Sequence, residues 1–308
     1  MRLIIPGASG FIGKNLLLHL PKDWEITAIY NKDDKFPNFL RQNALENVIP
    51  FKCDLSRQSD VQGLFSMGND FDLCVYLAAL VNLPLSVKDP VGDLNINVVG
   101  LINFLEKYRG GKIIYMSSGA VYEGLSGNVY PGISLNPVLP YAISKMASEQ
   151  YIKFYQHSRK TLNSYIILRF FGAYGPYEPP HKIYTKLVNA FCLENQNEFT
   201  LRGDGNNFID AMYIDDAIDG LLKIINSRYE NITVDFASCT PITLNELVLE
   251  AGKIFEKPSV EIKHVGETPE YISFKVSNDA MAKLFGFTTE RTPLKYGLMK
   301  LADHLKRE

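Results

Sequence analysis

The chain has 308 residues, 46% of them hydrophobic and 21% charged, with a formal net charge of −2. That is the composition of a globular protein of one large domain or two, and a near-neutral balance without basic clusters offers nucleic acid no electrostatic footprint. No run approaches the roughly 20 apolar residues of a membrane span, and MRLIIPGASG turns to Pro and Gly too early for a signal peptide, so a cytoplasmic protein with small-molecule ligands and no membrane partner is expected.

Along the chain, apolar runs alternate with amphipathic segments. LII (3–5), EITAIY (25–30), VIPF (48–51), LCVYLA (73–78), KIIYMS (112–117) and SYIILRF (164–170) predict strands. Helices are predicted near 11–20, 57–67, 91–108 and 140–157. Strands rich in Ile, Val and Tyr with little polar alternation are what a parallel sheet covered on both faces requires. The fold class expected is therefore α/β, a doubly wound parallel sheet of Rossmann type. After about residue 170 the pattern loosens into the Gly/Pro loop GAYGPYEPPHK, and short strands then mix with helices. Residues 1–170, with a return near 206–240, are assigned to nucleotide binding. Residues 171–205 and about 241–308 are assigned to a smaller, mixed α/β substrate-binding portion. Cys53, Cys74, Cys192 and Cys239 are widely spaced with no C-x-x-C, which suggests neither a metal site nor a disulfide framework.

The first chemical motif is GASGFIGK, in which Gly7, Gly10 and Gly13 directly follow the first strand and open the first helix. Glycines in such a turn let backbone N–H groups reach a pyrophosphate at a helix N-terminus, where the macrodipole favours negative charge. The spacing alone is a loose pattern; the strand before it and the helix after it make it a dinucleotide turn, with Ser9, Phe11 and Ile12 also on the cofactor side. Further on, CDLS places Asp54, next to Leu55, where it can accept from an adenine amino group or simply shape a turn. YLAAL (76–80) ends the fourth strand in small residues, so Leu77, Ala78 and Ala79 either admit a cofactor against the backbone or pack tightly for their own sake.

LPYAISKMASEQ sets Tyr141 and Lys145 four apart on a predicted helix, hence on one face. An ammonium beside a phenol stabilises the phenolate and lowers its pKa from about 10. Upstream, MSSGAVY places Ser117 and Ser118 at the carboxyl end of the fifth strand, where open α/β sheets bind ligands. Taken alone, Tyr-x-x-x-Lys reads as a half-buried tyrosine on an exposed helix.

Together with NINVVG (95–100) and GDGNNFIDAMYIDDA (203–217), these motifs resemble the extended short-chain dehydrogenases/reductases, and more narrowly the NAD(P)-dependent epimerase/dehydratase family acting on nucleotide-diphosphate sugars. The resemblance runs from Met1 to about Leu305. It implies that Ser118 is the catalytic hydroxyl, Tyr141 the acid/base and Lys145 the lysine that holds the nicotinamide ribose, with Asn97 supporting the site. Oxidoreduction at a sugar carbon, C4, follows. A family member that binds NADP as a sensor or scaffold without turnover is the alternative; such proteins commonly lose the Tyr or the Lys, and this chain keeps both.

Departures from the family pattern narrow the expectation. Members that remove water carry an Asp-Glu pair just after the catalytic Ser/Thr, whereas here Gly119 and Ala120 follow Ser118, which leaves 4-epimerisation and net reduction of a 4-keto sugar. The acidic end of the second strand in NAD-using relatives is matched to Asn31, followed by Lys32, a neutral residue beside a cation, so the expectation leans to NADP(H) over NAD(H). The arginine that relatives often carry before the Asp of RD-x-x-x-V-D-D is Ile209, and the asparagine of R-x-F-N is Gly172, which follows the cofactor-side Phe171. Lys182, beside Ile183, with Arg202 and Arg291, are the candidate diphosphate charges, and Asn82 and Gly119 complete the expected substrate side. The family also implies a homodimer through a four-helix bundle. Met146, Ile152, Phe154 and Tyr155, with Val98, Leu101, Ile102 and Leu105 on the preceding helix, exceed what one apolar stripe can bury.

Overall fold

In the computed structural model, which describes residues 1–66, 68–267, 273–276, 279–287 and 292–307, the chain opens with β1 (Arg2–Pro6), α1 (Phe11–His19), β2 (Glu25–Tyr30), α2 (Phe36–Gln42), β3 (Val48–Lys52), α3 (Gln58–Ser66) and β4 (Leu73–Tyr76). It continues through α4 (Leu83–Lys88), α5 (Pro90–Leu94), a π-helical turn (Asn95–Val99), α6 (Gly100–Lys107), β5 (Gly110–Ser118), β6 (Ser126–Val129), α7 (Pro140–His157) and β7 (Leu162–Phe170). Next come β8 (Ala173–Tyr174), α8 (Ile183–Val188), β9 (Glu198–Arg202), β10 (Phe208–Ile209), β11 (Met212–Tyr213), α9 (Ile214–Ile225) and β12 (Ile232–Phe236). The last elements are β13 (Ile242–Thr243), α10 (Leu244–Ile254), β14 (Glu261–Val265), β15 (Ser273–Val276), α11 (Asp279–Phe285) and α12 (Leu294–Leu305). Two compact units divide the chain: Met1–Glu123 with Ser134–Phe170 and Ile224–Val234, and Gly124–Ile133 with Phe171–Lys223 and Asp235–Glu308.

The first unit is built on a seven-stranded sheet in the order β12-β7-β5-β4-β1-β2-β3, with parallel pairing from β7 through to β3. Its central strands are buried on both faces, since Leu3, Ile4, Ile5, Leu73, Cys74, Val75 and Tyr76 are all closed to solvent. Parallel strands need crossover connections, and helices on both faces supply that cover. Pro50 can stand in β3 because β3 is the edge strand, where a missing N–H costs no ladder bond. The seventh strand, β12, lies outside the six predicted strands, as do the short helices α2 and α4. α2 buries Phe36, Phe39 and Leu40 in only seven residues, too few for a helical period to stand out in the sequence. On one face of the sheet, Tyr76, Phe104, Tyr108 and Tyr115 pack as an aromatic cluster, with Phe104 and Tyr108 stacked at 5.3 Å and Tyr76 edge-on to Phe104 at 5.4 Å.

The single helix predicted over 91–108 is instead three segments, because a π-helical turn at Asn95–Val99 interrupts it. Such turns put one extra residue into the ladder and recur at functional sites. The expected apolar strip is also composed differently. Val98, Leu101, Leu105, Ile152 and Tyr155 are buried, because α6 packs between α3 and α7, whereas Phe154 is exposed together with Ile143 and Tyr151 on α7. Val91, Leu94 and Ile96, on α5 and the π turn, are exposed as well.

The second unit holds four two-stranded sheets, β10-β13, β11-β8, β14-β9 and β15-β6, together with helices α8 to α12. Its packing is aromatic and tight: Tyr174 stacks on Tyr184 at 4.2 Å, and a Cβ at Gly297 of α12 would lie 2.6 Å from the Tyr174 hydroxyl oxygen. α10 is started by a reciprocal capping box between Thr243 and Glu246. Among the described residues no helix is long and apolar enough to cross a membrane.

Candidate active site

The glycine turn lies where the strand order reverses, between β1 and β4. Gly7 has φ +86°, and a Cβ there would sit 2.5 Å from Ala78 N. At Gly13 a Cβ would come within 2.4 Å of Ala8 O. Neither position tolerates a side chain, so the turn is pulled tight against the loop after β4 and the start of α1 is drawn close to the sheet. Gly10 caps α1 without any side-chain hydrogen bond, and no acidic residue stands in its first turn. The first N–H groups of a nine-residue helix are thereby left for an anion, which fits the pyrophosphate of a dinucleotide.

Asn31 directly follows β2 and helps to lower the pKa of Asp54. Asp54 is a turn former: its Oδ1 accepts from Ser56 N at 3.0 Å and from Ser56 Oγ at 2.7 Å. Burial alone would raise its pKa, but the Ser56 hydrogen bonds, Arg57 and Asn31 outweigh it and hold the carboxyl below its ordinary value. Lys32 is exposed. A feature absent from the sequence reading is the ion pair of Lys14 with Asp33, 2.8 Å, which joins the residue after Gly13 to the loop after β2.

Tyr141 and Lys145 come from the first two turns of α7, and Ser118 is the last residue of β5. Ser118 Oγ accepts from Ala120 N at 3.1 Å, and the Ser118 hydroxyl is near enough to the Tyr141 phenol to lower its pKa. Lys145 Nζ donates to Met116 O at 2.8 Å and to the Tyr115 hydroxyl at 3.3 Å, and stands 6.0 Å from the Tyr141 ring centroid. The expectation that the ammonium lowers the phenol's pKa is not met by the polypeptide itself. Burial pushes Tyr141 up to about 12, with Ser118 opposing and Asp93 adding to the rise. Burial likewise brings Lys145 down to about 7, against the pull of Glu149 and Asp93.

Three of the expected residues bond to the protein itself. Ser117 points into the core and donates to Glu149 Oε1 at 2.6 Å, because neighbours on a strand face opposite sides and Ser118 takes the outer one. Asn97 is buried; its side chain bridges Leu80 N (2.8 Å), Leu80 O (3.2 Å) and Asp93 Oδ1 (2.8 Å), so it holds the loop that carries Leu77, Ala78 and Ala79. Asn82, expected at the substrate, caps α4 by accepting from Leu85 N at 2.9 Å. Beneath the site lies a network that the sequence reading missed: Arg169 reaches both oxygens of Glu149 and the Tyr122 hydroxyl. Its signal was available in part, since Tyr141, Lys145 and Glu149 continue one i, i+4 row.

In the second unit, Gly172 has φ +136°, a conformation that asparagine rarely adopts, which accounts for the departure from R-x-F-N locally. Phe171 N donates to Phe236 O at 3.0 Å, and its ring meets Phe274 edge-on. Lys182 is half-buried at the start of α8, ahead of Ile183, and burial lowers its pKa while nearby Glu178 raises it. Glu178 itself accepts from Thr185 N (2.8 Å) and Thr185 Oγ1 (2.7 Å). Arg202 is exposed at the end of β9, and Arg291 lies outside the described residues.

A parallel doubly wound sheet with a tight glycine turn at its switch point, a serine at the end of a neighbouring strand and a Tyr-Lys pair on the helix α7 defines an extended short-chain dehydrogenase/reductase. The family model described as "NAD dependent epimerase/dehydratase family" matches residues 3–234, and the chain belongs to that family of enzymes. It is 31% identical over 272 residues to a Methanocaldococcus jannaschii protein provisionally named as a UDP-glucose 4-epimerase, covering 83% of this chain and 86% of that one. It is 29% identical over 234 residues, 72% of each chain, to a UDP-glucose 4-epimerase of Mycolicibacterium smegmatis. Among solved structures, a UDP-glucuronic acid 4-epimerase from Bacillus cereus in complex with UDP-glucuronic acid and NAD shares the fold with a TM-score of 0.87 at 23% identity, over 100% of this chain and 99% of that one.

Proposed function

We propose that the protein carries out NAD(P)-dependent oxidoreduction at C4 of a nucleotide-diphosphate sugar, as a 4-epimerase or a 4-ketoreductase. The observation that carries this reading is the meeting of the buried Tyr141 phenol with Ser118, whose hydroxyl lowers the phenol's pKa, and Lys145 one turn along the same helix face. The names of the relatives, UDP-sugar 4-epimerases, support the same chemistry. The absence of an acidic pair at Gly119 and Ala120 speaks against elimination of water.

The glycine turn would hold the pyrophosphate, Lys145 the nicotinamide ribose and Asn31 with Asp54 the adenosine end. When bound, the oxidised nicotinamide supplies the hydride acceptor and a positive charge close to the phenol. Tyr141, as phenolate, takes the proton of the C4 hydroxyl as the C4 hydride departs, leaving a 4-keto sugar; returning the hydride to the opposite face of C4 and the proton to the ketone oxygen would complete an epimerisation. Ser118 holds the reacting oxygen throughout. Lys145 helps the phenol to ionise only while it carries its own proton. For cofactor choice we favour NADP(H): Asn31 brings no negative charge to the ribose, and the nearby Asp33 is neutralised by Lys14. At the substrate diphosphate, Lys182 and Arg202 are the described cations we assign. We also propose that two copies pair through Ile143, Tyr151 and Phe154 of α7, a twofold contact that would cover side chains otherwise left in water.

Mass spectrometry of ligands retained by the purified protein, followed by cofactor consumption with a panel of nucleotide sugars, tests the reading. A retained dinucleotide and turnover of one sugar are expected. Bound dinucleotide with no turnover on any nucleotide sugar would favour a sensor or scaffold instead.

A further inference from the structure

Lys145 is almost wholly buried, yet both acceptors that its ammonium meets, Met116 O and the Tyr115 hydroxyl, are neutral. An ammonium removed from water needs a counter-charge or it gives up its proton. Glu149, one turn along α7, does not have its charge to itself, since Arg169 binds both of its oxygens and Ser117 donates to one of them. Asp93 is placed differently. It is fully buried on α5, which packs against α7. Its Oδ1 accepts from Asn97 Nδ2 at 2.8 Å, and its Oδ2 has no hydrogen-bond partner among the described residues. A buried carboxylate oxygen without a partner is costly, and such groups call for a reason.

The carboxylate is also held in place. Asn97 ties it to the loop after β4 through Leu80, and the Asp89 side chain caps α5 by accepting from Gly92 N at 2.9 Å. The titratable groups that feel it are Tyr141 and Lys145 of α7 and Tyr115 of β5, with Glu149 also acting on Lys145. Lys88, at the end of α4, and Asp89, just before α5, are exposed. With Asp93, Glu149, Lys145 and Arg169 all buried, the cluster is neutral as two carboxylates and two cations; without Asp93 it holds an uncompensated positive charge.

We propose that Asp93 is a positioning residue for the reaction: its carboxylate is the counter-ion that keeps the Lys145 ammonium charged inside the protein. It acts through Lys145 and does not touch the substrate. This inference rests on the roles of Tyr141 and Lys145 given under Proposed function.

Asp93→Asn keeps the shape and the acceptor for Asn97 while removing the charge. The test is the pH titration of Lys145 by carbon NMR of lysine labelled at Cε, assigned by the signal lost in Lys145→Met, on protein without substrate. A midpoint near 7 is expected for the wild type, moved down by about one unit or more in Asp93→Asn. An unchanged midpoint would overturn the proposal. Should the variant fail to fold, the side-chain carboxyl carbon of Asp93 in the wild type decides: a charged carboxylate at neutral pH supports the proposal and a neutral acid overturns it. The pH profile of turnover is expected to move to lower pH on both limbs, because Asp93 also holds the Tyr141 phenol up. Lower turnover with an unmoved profile would mark a purely structural role and count against it. If no nucleotide sugar is turned over at all, the functional reading fails while the Lys145 titration still reports on Asp93.

Discussion

Arg169 grips the carboxylate of Glu149 with two nitrogens, Nε at 3.0 Å and an Nη at 2.8 Å, in the interior between β7 and α7. Both side chains are closed to solvent, so neither charge has water as an alternative partner. Removing one partner of a buried pair strands the other, which typically costs about 3–5 kcal/mol, whereas an apolar replacement of both is often far milder. Glu149→Leu and Arg169→Met are each expected to lower the unfolding free energy by that amount, and the double variant by less than either. Denaturant unfolding of the three variants checks this; simple additivity of the two losses would refute it.

Removal of the Tyr141 hydroxyl is expected to reduce turnover by about 10²–10⁴-fold, the usual worth of positioned proton transfer. Tyr141→Phe keeps the buried ring and should leave the fold and dinucleotide binding close to wild type, as read by circular dichroism and calorimetric titration. Turnover near the wild-type rate would rule out Tyr141 as the acid/base.

Cofactor choice is expected to respond at Asn31. Asn31→Asp places a carboxylate where it repels a 2′-phosphate and can accept from ribose hydroxyls, so NADP(H) affinity should fall and NAD(H) affinity rise, each by about tenfold for about 1.4 kcal/mol. A wild-type protein that already binds NAD(H) more tightly than NADP(H) would refute the preference.

Glu178 gives the second unit a pH dependence of predictable sign. Burial pushes its carboxyl up to about 7 from 4.5, against the Thr185 hydrogen bonds and Lys182. The native state therefore holds more protons than the unfolded chain between those values, and stability from this group is present at the acid end and lost as pH rises towards 7. Thermal unfolding of the wild type should show that loss between pH 4.5 and 7, set against Glu178→Gln, in which it disappears. The same slope in both proteins would exclude Glu178 as its source.

The assembly prediction is read by light scattering. Two copies joined through α7 give about twice 34.7 kDa. Phe154→Asp, which places a charge among Ile143, Tyr151 and the matching residues of a second copy, should return the mass to that of one chain. A wild-type mass near 34.7 kDa would end the proposal.

What the sequence determined by itself was whatever depends on neighbours a few residues apart. A strand, a glycine turn and a helix in succession mark the tight turn at Gly7, Gly10 and Gly13, because the turn's geometry is local. Likewise Tyr141 and Lys145 share a face because the helical repeat puts them there, and Ile-, Val- and Tyr-rich runs mark a sheet covered on both sides. Tertiary structure alone decided which of two adjacent serines faces inward, since alternation along a strand has no sign until the core is known. The same holds for Asn97, whose amide serves Leu80 and Asp93, and for the exposed strip, in which Phe154 keeps company with Ile143 and Tyr151 while Ile152 and Tyr155 are buried. Arg169 meets Glu149 across 20 residues of chain, and β12 joins the sheet at the β7 edge from 62 residues beyond Phe170. Pairings of that kind are set by which surfaces pack together, and a one-dimensional pattern carries the period of each element but not its partner.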